Sequence, residues 1–101
     1  MIIYNITIKV EWSVADDWVE WMREIHIPGV LGTGCFEKHQ LLRLLQLDET
    51  EGPTYAIQYY AATLSKYDYY LQHHNNVMCK QIKEKWGEKY VDFSTLMQVV
   101  E

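Results

Sequence analysis

Residues 2–12 read IIYNITIKVEW, with Tyr4, Ile6, Ile8, Val10 and Trp12 on one parity and Ile3, Asn5, Thr7, Lys9 and Glu11 on the other. Such alternation predicts a half-buried strand, because successive side chains of an extended chain leave on opposite sides. The next element has to cover the apolar side. Ser13, three and four residues ahead of Asp16 and Asp17, predicts an N-cap with acids where the helix dipole favours them. Val14, Trp18, Trp21, Met22 and Ile25 then share one helical face, with Asp16, Asp17, Glu20, Arg23 and Glu24 opposite. Pro28 predicts a bent or broken helix end, and Gly29, Gly32 and Gly34 a turn after it.

Outward from this β-α start, Cys35 to Leu47 has strand character, with a bulge expected near Arg43 because the leucines of LLRLLQL (41–47) change parity. DETEGP (48–53) is rich in turn formers and PTYAIQYYA (53–61) is strongly β, so the two predict a hairpin. Thr63 or Ser65 can cap a second helix whose stripe runs Tyr67, Leu71, His74, Met78, Ile82 and Trp86. Asn75 and Asn76 are weak helix formers in mid-run and mark a place for a local break. Gly87 suits its C-terminal cap, and Tyr90 to Val100 predicts a fourth strand.

The order β-α-β-β-α-β predicts an α+β, ferredoxin-like chain spanning 1–101 as a single domain, with an antiparallel four-stranded sheet and both helices on one face. The other face is left bare. Neither face reads as fully polar: the fourth strand has Val91, Phe93, Met97 and Val99 on one parity and Tyr90, Leu96 and Val100 on the other, the third sets Tyr55, Ile57 and Tyr59 against Ala56 and Tyr60, and Ile3 joins Asn5 and Thr7 on the first. A mixed face of this kind, left uncovered, is more apolar than monomers usually leave in water. The expectation is a homodimer with sheets face to face, burying on the order of 2,000 Å² in total, with Asn5, Thr7 and Gln58 lining a wetter centre.

The 101 residues carry 9 basic and 14 acidic side chains, a net charge of −5 with His neutral. Nucleic acid and anionic membranes, which reward clustered Lys and Arg, are not expected partners. The N-terminus has no signal-peptide pattern, no apolar run approaches a membrane span, and Cys35 and Cys79 stand in no C-x-x-C context, so a cytoplasmic protein with two reduced thiols is expected. No phosphate loop, dinucleotide fingerprint, nucleophile elbow or metal-ligand spacing occurs, so neither a cofactor nor a metal is expected; His39 with Glu37 makes only half of a metal site.

MIIYNITIKV (1–10), WVEWMREIHIPGVLGTGCF (18–36), TYAIQYYA (54–61) and YLQHH (70–74) together resemble domain-of-unknown-function family 4286, with HIPGVLGTGCF the most specific part. These small bacterial proteins look like a branch of the dimeric α+β barrel superfamily. The resemblance covers nearly the whole chain and implies a ferredoxin-like subunit that dimerises through its sheet; it implies no activity.

Two histidines stand out. His26, before Ile27-Pro28, either bonds the last carbonyls of the first helix or borders a pocket between helix and sheet, beside Trp12, Trp18 or Trp21. His74, on the second stripe, is either a satisfied rim residue or a donor to a bound oxygen. With Asn5 and Tyr60 these are the candidate ligand contacts. The leading expectation is a homodimer binding a small molecule between sheet and helices, and the alternative is a non-catalytic assembly module. A third reading comes from the superfamily resemblance: antibiotic-biosynthesis-type or haem-degrading monooxygenases use a strand-one Asn, a Trp and a helix-two His, which Asn5 and His74 echo.

Overall fold

In a computed structural model describing all of residues 1–101, the strands β1 (Ile2–Val10), β2 (Lys38–Arg43), β3 (Thr54–Ala61) and β4 (Tyr90–Gln98) form one sheet in the order β2-β3-β1-β4. Every neighbouring pair is antiparallel. This is the expected ferredoxin-like arrangement. The helical segments α1 (Ala15–Trp21) and α2 (Ile27–Leu31) come after β1, and α3 (Leu64–His73) and α4 (Asn75–Trp86) after β3.

The core forms where the parities predict it. Tyr4, Ile8 and Val10 of β1 and Ile57, Tyr59 and Ala61 of β3 pack against Trp18, Met22, Ile27, Val30, Tyr70, Ile82 and Trp86 of the helices. The acidic face of α1 is exposed, as amphipathicity requires. Thr63 caps α3, its hydroxyl accepting from the Lys66 N–H at 3.3 Å. Gly87, at φ 60°, ends α4 while its N–H donates to the Lys83 carbonyl, a left-handed conformation that glycine adopts without penalty.

Several boundaries differ from the sequence expectation. β1 stops at Val10, and Trp12–Val14 form a 3₁₀ turn. Ser13 lies inside that turn and makes no capping bond to α1, because the tighter turn already starts the helix. The break expected at Pro28 is instead a π-helical turn over Met22–His26, after which Ile27–Leu31 continue as α-helix with Pro28 near the start. The wider turn absorbs the donor that proline lacks. It also re-phases the inward face: Trp18, Met22, His26 and Val30 are buried at steps of four, while Ile25, expected inward, is 60% exposed.

β2 is shorter than Cys35–Leu47 and needs no bulge; it pairs in unbroken register from Lys38↔Tyr60 to Arg43↔Tyr55. Cys35 and Phe36 fill the core from the preceding loop. Leu45 and Leu47 lie outside the sheet in the β2–β3 connection, which explains why their parity does not fit. The expected helix break falls at His74, between α3 and α4. Within α3, Tyr70 rather than Leu71 supplies the buried contact. β4 ends at Gln98, short of Val100.

Candidate functional site

The π turn swings His26 beneath α4, where helix and sheet do not close completely. A cleft of about 230 Å³ remains. Its floor is Tyr4 and Ile6 of β1, Tyr59 of β3, and Asp92 and Ser94 of β4; its roof is Tyr70 of α3 and Asn75, Met78, Cys79 and Ile82 of α4, with His26 at one side. The five floor residues have the helix-facing parity of their strands, while Phe93, which also lines the cleft at the β4 edge, has the opposite parity.

His26 is 4% exposed, and its ring stacks on Trp21 with centroids 5.2 Å apart and planes 24° off parallel. Trp86 meets the Trp21 ring edge-on, with centroids 5.8 Å apart. Nδ1 of His26 has no hydrogen-bond partner. Burial pulls the imidazole from its usual 6.5 down to about 4, because the interior penalises the charged form. It is therefore neutral near pH 7, able to accept at one nitrogen and donate at the other.

Tyr59 is fully buried, and its hydroxyl also lacks a partner. Burial holds the phenols of Tyr59, Tyr4 and Tyr70 above the usual tyrosine range, so all three stay protonated. The Tyr4 hydroxyl donates to Asn75 Oδ1 at 3.4 Å, and Cys79 Sγ approaches the same oxygen at 3.6 Å. Burial raises the Cys79 thiol as well, the opposite of what an activated nucleophile requires. Asp92 is raised by burial, an effect that Lys83 opposes. No Lys or Arg lines the cleft.

The sequence candidates divide between the two sides of the sheet. His26 borders the cleft and Trp21 supports it from behind. His26 does not bond the end of a helix, since the helix continues to Leu31. Trp18 is buried against Tyr55, centroids 5.2 Å apart, and does not reach the cleft. Trp12 lies beyond it on the β2–β3 connection; its Nε1–H donates to the Glu49 carbonyl at 2.8 Å, and Arg43, paired with Glu49, lies over its ring. His74 sits half-buried at the α3–α4 break, outside the cleft lining. Asn5 and Tyr60 occupy the bare face: the Asn5 amide donates to Thr7 Oγ1 at 3.1 Å and the Tyr60 hydroxyl to Gln58 Oε1 at 3.2 Å. The cleft thus gathers His26 but not Trp12, Trp18, His74, Asn5 or Tyr60.

Sequence reading missed Tyr4, Tyr59, Tyr70, Asn75 and Asp92 as site residues. Asp92 carried a usable signal, an acid at a helix-facing position of β4. Tyr59 was legible as inward, but the isolation of its hydroxyl is a property of the packing alone.

The model for the family described as Domain of unknown function (DUF4286) matches residues 1–100. No match was found among curated protein sequences. Among solved structures, the chain is similar to the haem-degrader MhuD from Mycobacterium tuberculosis, whose structure holds two haems in its active site (TM-score 0.72, 12% identity, 100% of this chain and 97% of that one). It is similar to SnoaB, a cofactor-independent oxygenase from Streptomyces nogalater (TM-score 0.70, 12% identity, 99% and 93%). It is also similar to a dimeric ferredoxin-like protein from an uncultured marine organism (TM-score 0.72, 8% identity, 100% and 96%). At these identities the likeness is one of fold. No helix is long and apolar enough to cross a membrane.

Proposed function

The chain belongs to the DUF4286 family, and from its geometry we propose that it is a homodimer that binds a small molecule in the cleft between its sheet and helices. One observation carries the binding half: helix and sheet leave a cleft of about 230 Å³ whose lining includes His26 and Tyr59, two residues that each keep a buried polar atom without a partner in the protein. Buried polar groups are almost always satisfied, and leaving one unsatisfied costs about 1–3 kcal/mol.

The bare face supports the dimer. Val91 and Phe93 are 67% and 64% exposed, and Leu42 is exposed on the same side. Between these apolar residues runs a row of hydrogen-bonding side chains, Gln40, Gln58, Asn5 and Thr95, aligned by register across all four strands. A second copy related by a two-fold axis buries the apolar residues and faces the row with its own. Cys35 and Cys79 are free thiols, consistent with a cytoplasmic protein.

Binding is favoured over catalysis by the state of the groups. A general base works best with a pKa near the operating pH, and His26 at about 4 is far below it. The monooxygenase reading shares the fold, but Asn5 and His74 lie on opposite sides of the sheet. The cleft beside His26, about 230 Å³, is also smaller than the roughly 300–1,000 Å³ of sites for drug-sized ligands, which favours a ligand smaller than haem there. The test is amide chemical-shift mapping of the dimer against a fragment mixture. Perturbations centred on His26, Tyr59 and α4 support the reading; perturbations only on the bare face, or none, refute it.

A further inference from the structure

Resting on the homodimer and the cleft proposed above, we infer that the second copy completes the cleft: β4 is both a wall of the cleft and part of the surface that the partner covers, so assembly sets the shape of the site. β4 is an edge strand, hydrogen-bonded within the sheet to β1 alone. None of its nine residues is buried, whereas β1 beside it buries Tyr4, Asn5, Ile8 and Val10. A strand with one paired edge and so little buried apolar surface opens more readily than the rest of a sheet. Long apolar edge strands are normally covered.

Alternation divides β4 between two tasks. Asp92 and Ser94 face the helices and line the cleft; Phe93 between them has the opposite parity and still reaches the cleft at the strand edge. Phe93 also belongs, with Val91, to the exposed apolar part of the bare face. One side chain is thus shared by two surfaces. A second copy lying on the bare face buries the Phe93 ring and fixes β4 from below, while the roof, Asn75, Met78 and Cys79 of α4, is held by the chain itself. A lone chain has a cleft with one firm wall and one loose one.

The face is suited to its own copy. Its central row, Gln40, Gln58, Asn5 and Thr95, consists of side chains that both donate and accept hydrogen bonds, so the row pairs with itself across a two-fold axis. Beside it, the bare-face residues Val91, Phe93 and Met97 of β4 carry no charge that a second copy would repel. The coupling runs both ways: whatever factor the partner adds to affinity in the cleft, an occupied cleft adds to the stability of the dimer.

The test compares the unmodified protein with Val91→Glu and Leu42→Glu, which put a charge on exposed residues of the bare face at opposite edges of the sheet. Neither residue lines the cleft, and Leu42 lies three strand spacings from β4, roughly 14 Å. Light scattering gives the mass. Side-chain signals of Met78 and Asn75 report the roof, and the indole N–H of Trp18, buried against Tyr55 outside the cleft, is the control. Expected are twice 12.0 kDa for the unmodified protein and 12.0 kDa for both variants, with the Met78 and Asn75 signals displaced in both and Trp18 unmoved. Amide exchange at Asp92, Phe93 and Ser94 should be at least about tenfold faster in the variants than in the dimer. Variants of 12.0 kDa whose roof signals and β4 exchange match the dimer overturn the inference and leave the dimer and the cleft standing. Displacement in Val91→Glu alone also overturns it, as a local effect of that substitution. Variants that stay dimeric overturn it too, because the partner then does not sit on this face. An unmodified protein of 12.0 kDa removes both the inference and the dimer on which it rests.

Discussion

Tyr59→Phe deletes one oxygen from a fully buried side chain and leaves its ring in place. In a protein where that hydroxyl were bonded, the change would cost stability, because a buried partner would lose its bond. Here the hydroxyl has no partner. Desolvating a hydroxyl without compensation costs about 1–3 kcal/mol on mutational scales, while the void left by one oxygen offsets part of the gain from removing it. The substitution is therefore expected to stabilise the ligand-free protein by about 1 kcal/mol. With a urea slope of about 2 kcal/mol per molar for a small protein, the midpoint rises by about 0.5 M. Thermal unfolding shifts up by about 5 °C on the same reasoning. Both proteins are measured at the same protomer concentration, since the midpoint of a dimer depends on it. A midpoint that falls by a similar amount refutes the reasoning, because the hydroxyl must then be paired, with water or a bound molecule.

His26 predicts a pH dependence. The unfolded imidazole protonates near 6.5 and the folded one only near 4, so in that window the unfolded chain binds the extra proton and stability falls as pH falls from 6.5 toward 4. The limiting slope is about 1.4 kcal/mol per pH unit, and His26→Phe should flatten it in urea titrations; Asp92, whose raised folded value gives the opposite slope just above 3.8, is common to both proteins and drops out of the difference. Val91→Glu together with Phe93→Glu places two charges on the most exposed apolar residues of the bare face, and light scattering should report a folded particle of 12.0 kDa. A side chain on Gly52 would collide with the Val10 carbonyl oxygen, so Gly52→Ala should cost at least about 2 kcal/mol by urea unfolding, whereas unchanged stability would mean the loop moves freely.

Element order, helix sides and the alternation of the first and third strands were legible because one face of each element had to be apolar. The failures are local. A π turn inserts a phase shift that no hydrophobic period announces, so Ile25 looked like the inward residue and His26 like a helix end. Leu44, Leu45 and Leu47 look like strand by their hydrophobicity, but their parity conflict was resolved by leaving the sheet rather than by bulging within it. At the site, His26 and Trp21 could be chosen from position and residue type. Tyr59 and Asp92 could be placed on the correct face only, since an unpaired hydroxyl and a raised carboxyl depend on how closely α4 sits on the strands. The aromatic candidates Trp12, Trp18 and Tyr60 show the limit of composition: each is committed to its own neighbours, in the β2–β3 connection, the core and the bare face.

A sheet used on both faces, one closed by its own helices over a small cleft and one closed by a second copy of the chain, is the central claim. Light scattering of the unmodified protein at micromolar concentration addresses it most directly. A mass of twice 12.0 kDa, unchanged on tenfold dilution, is the predicted result; a stable particle of 12.0 kDa would contradict it.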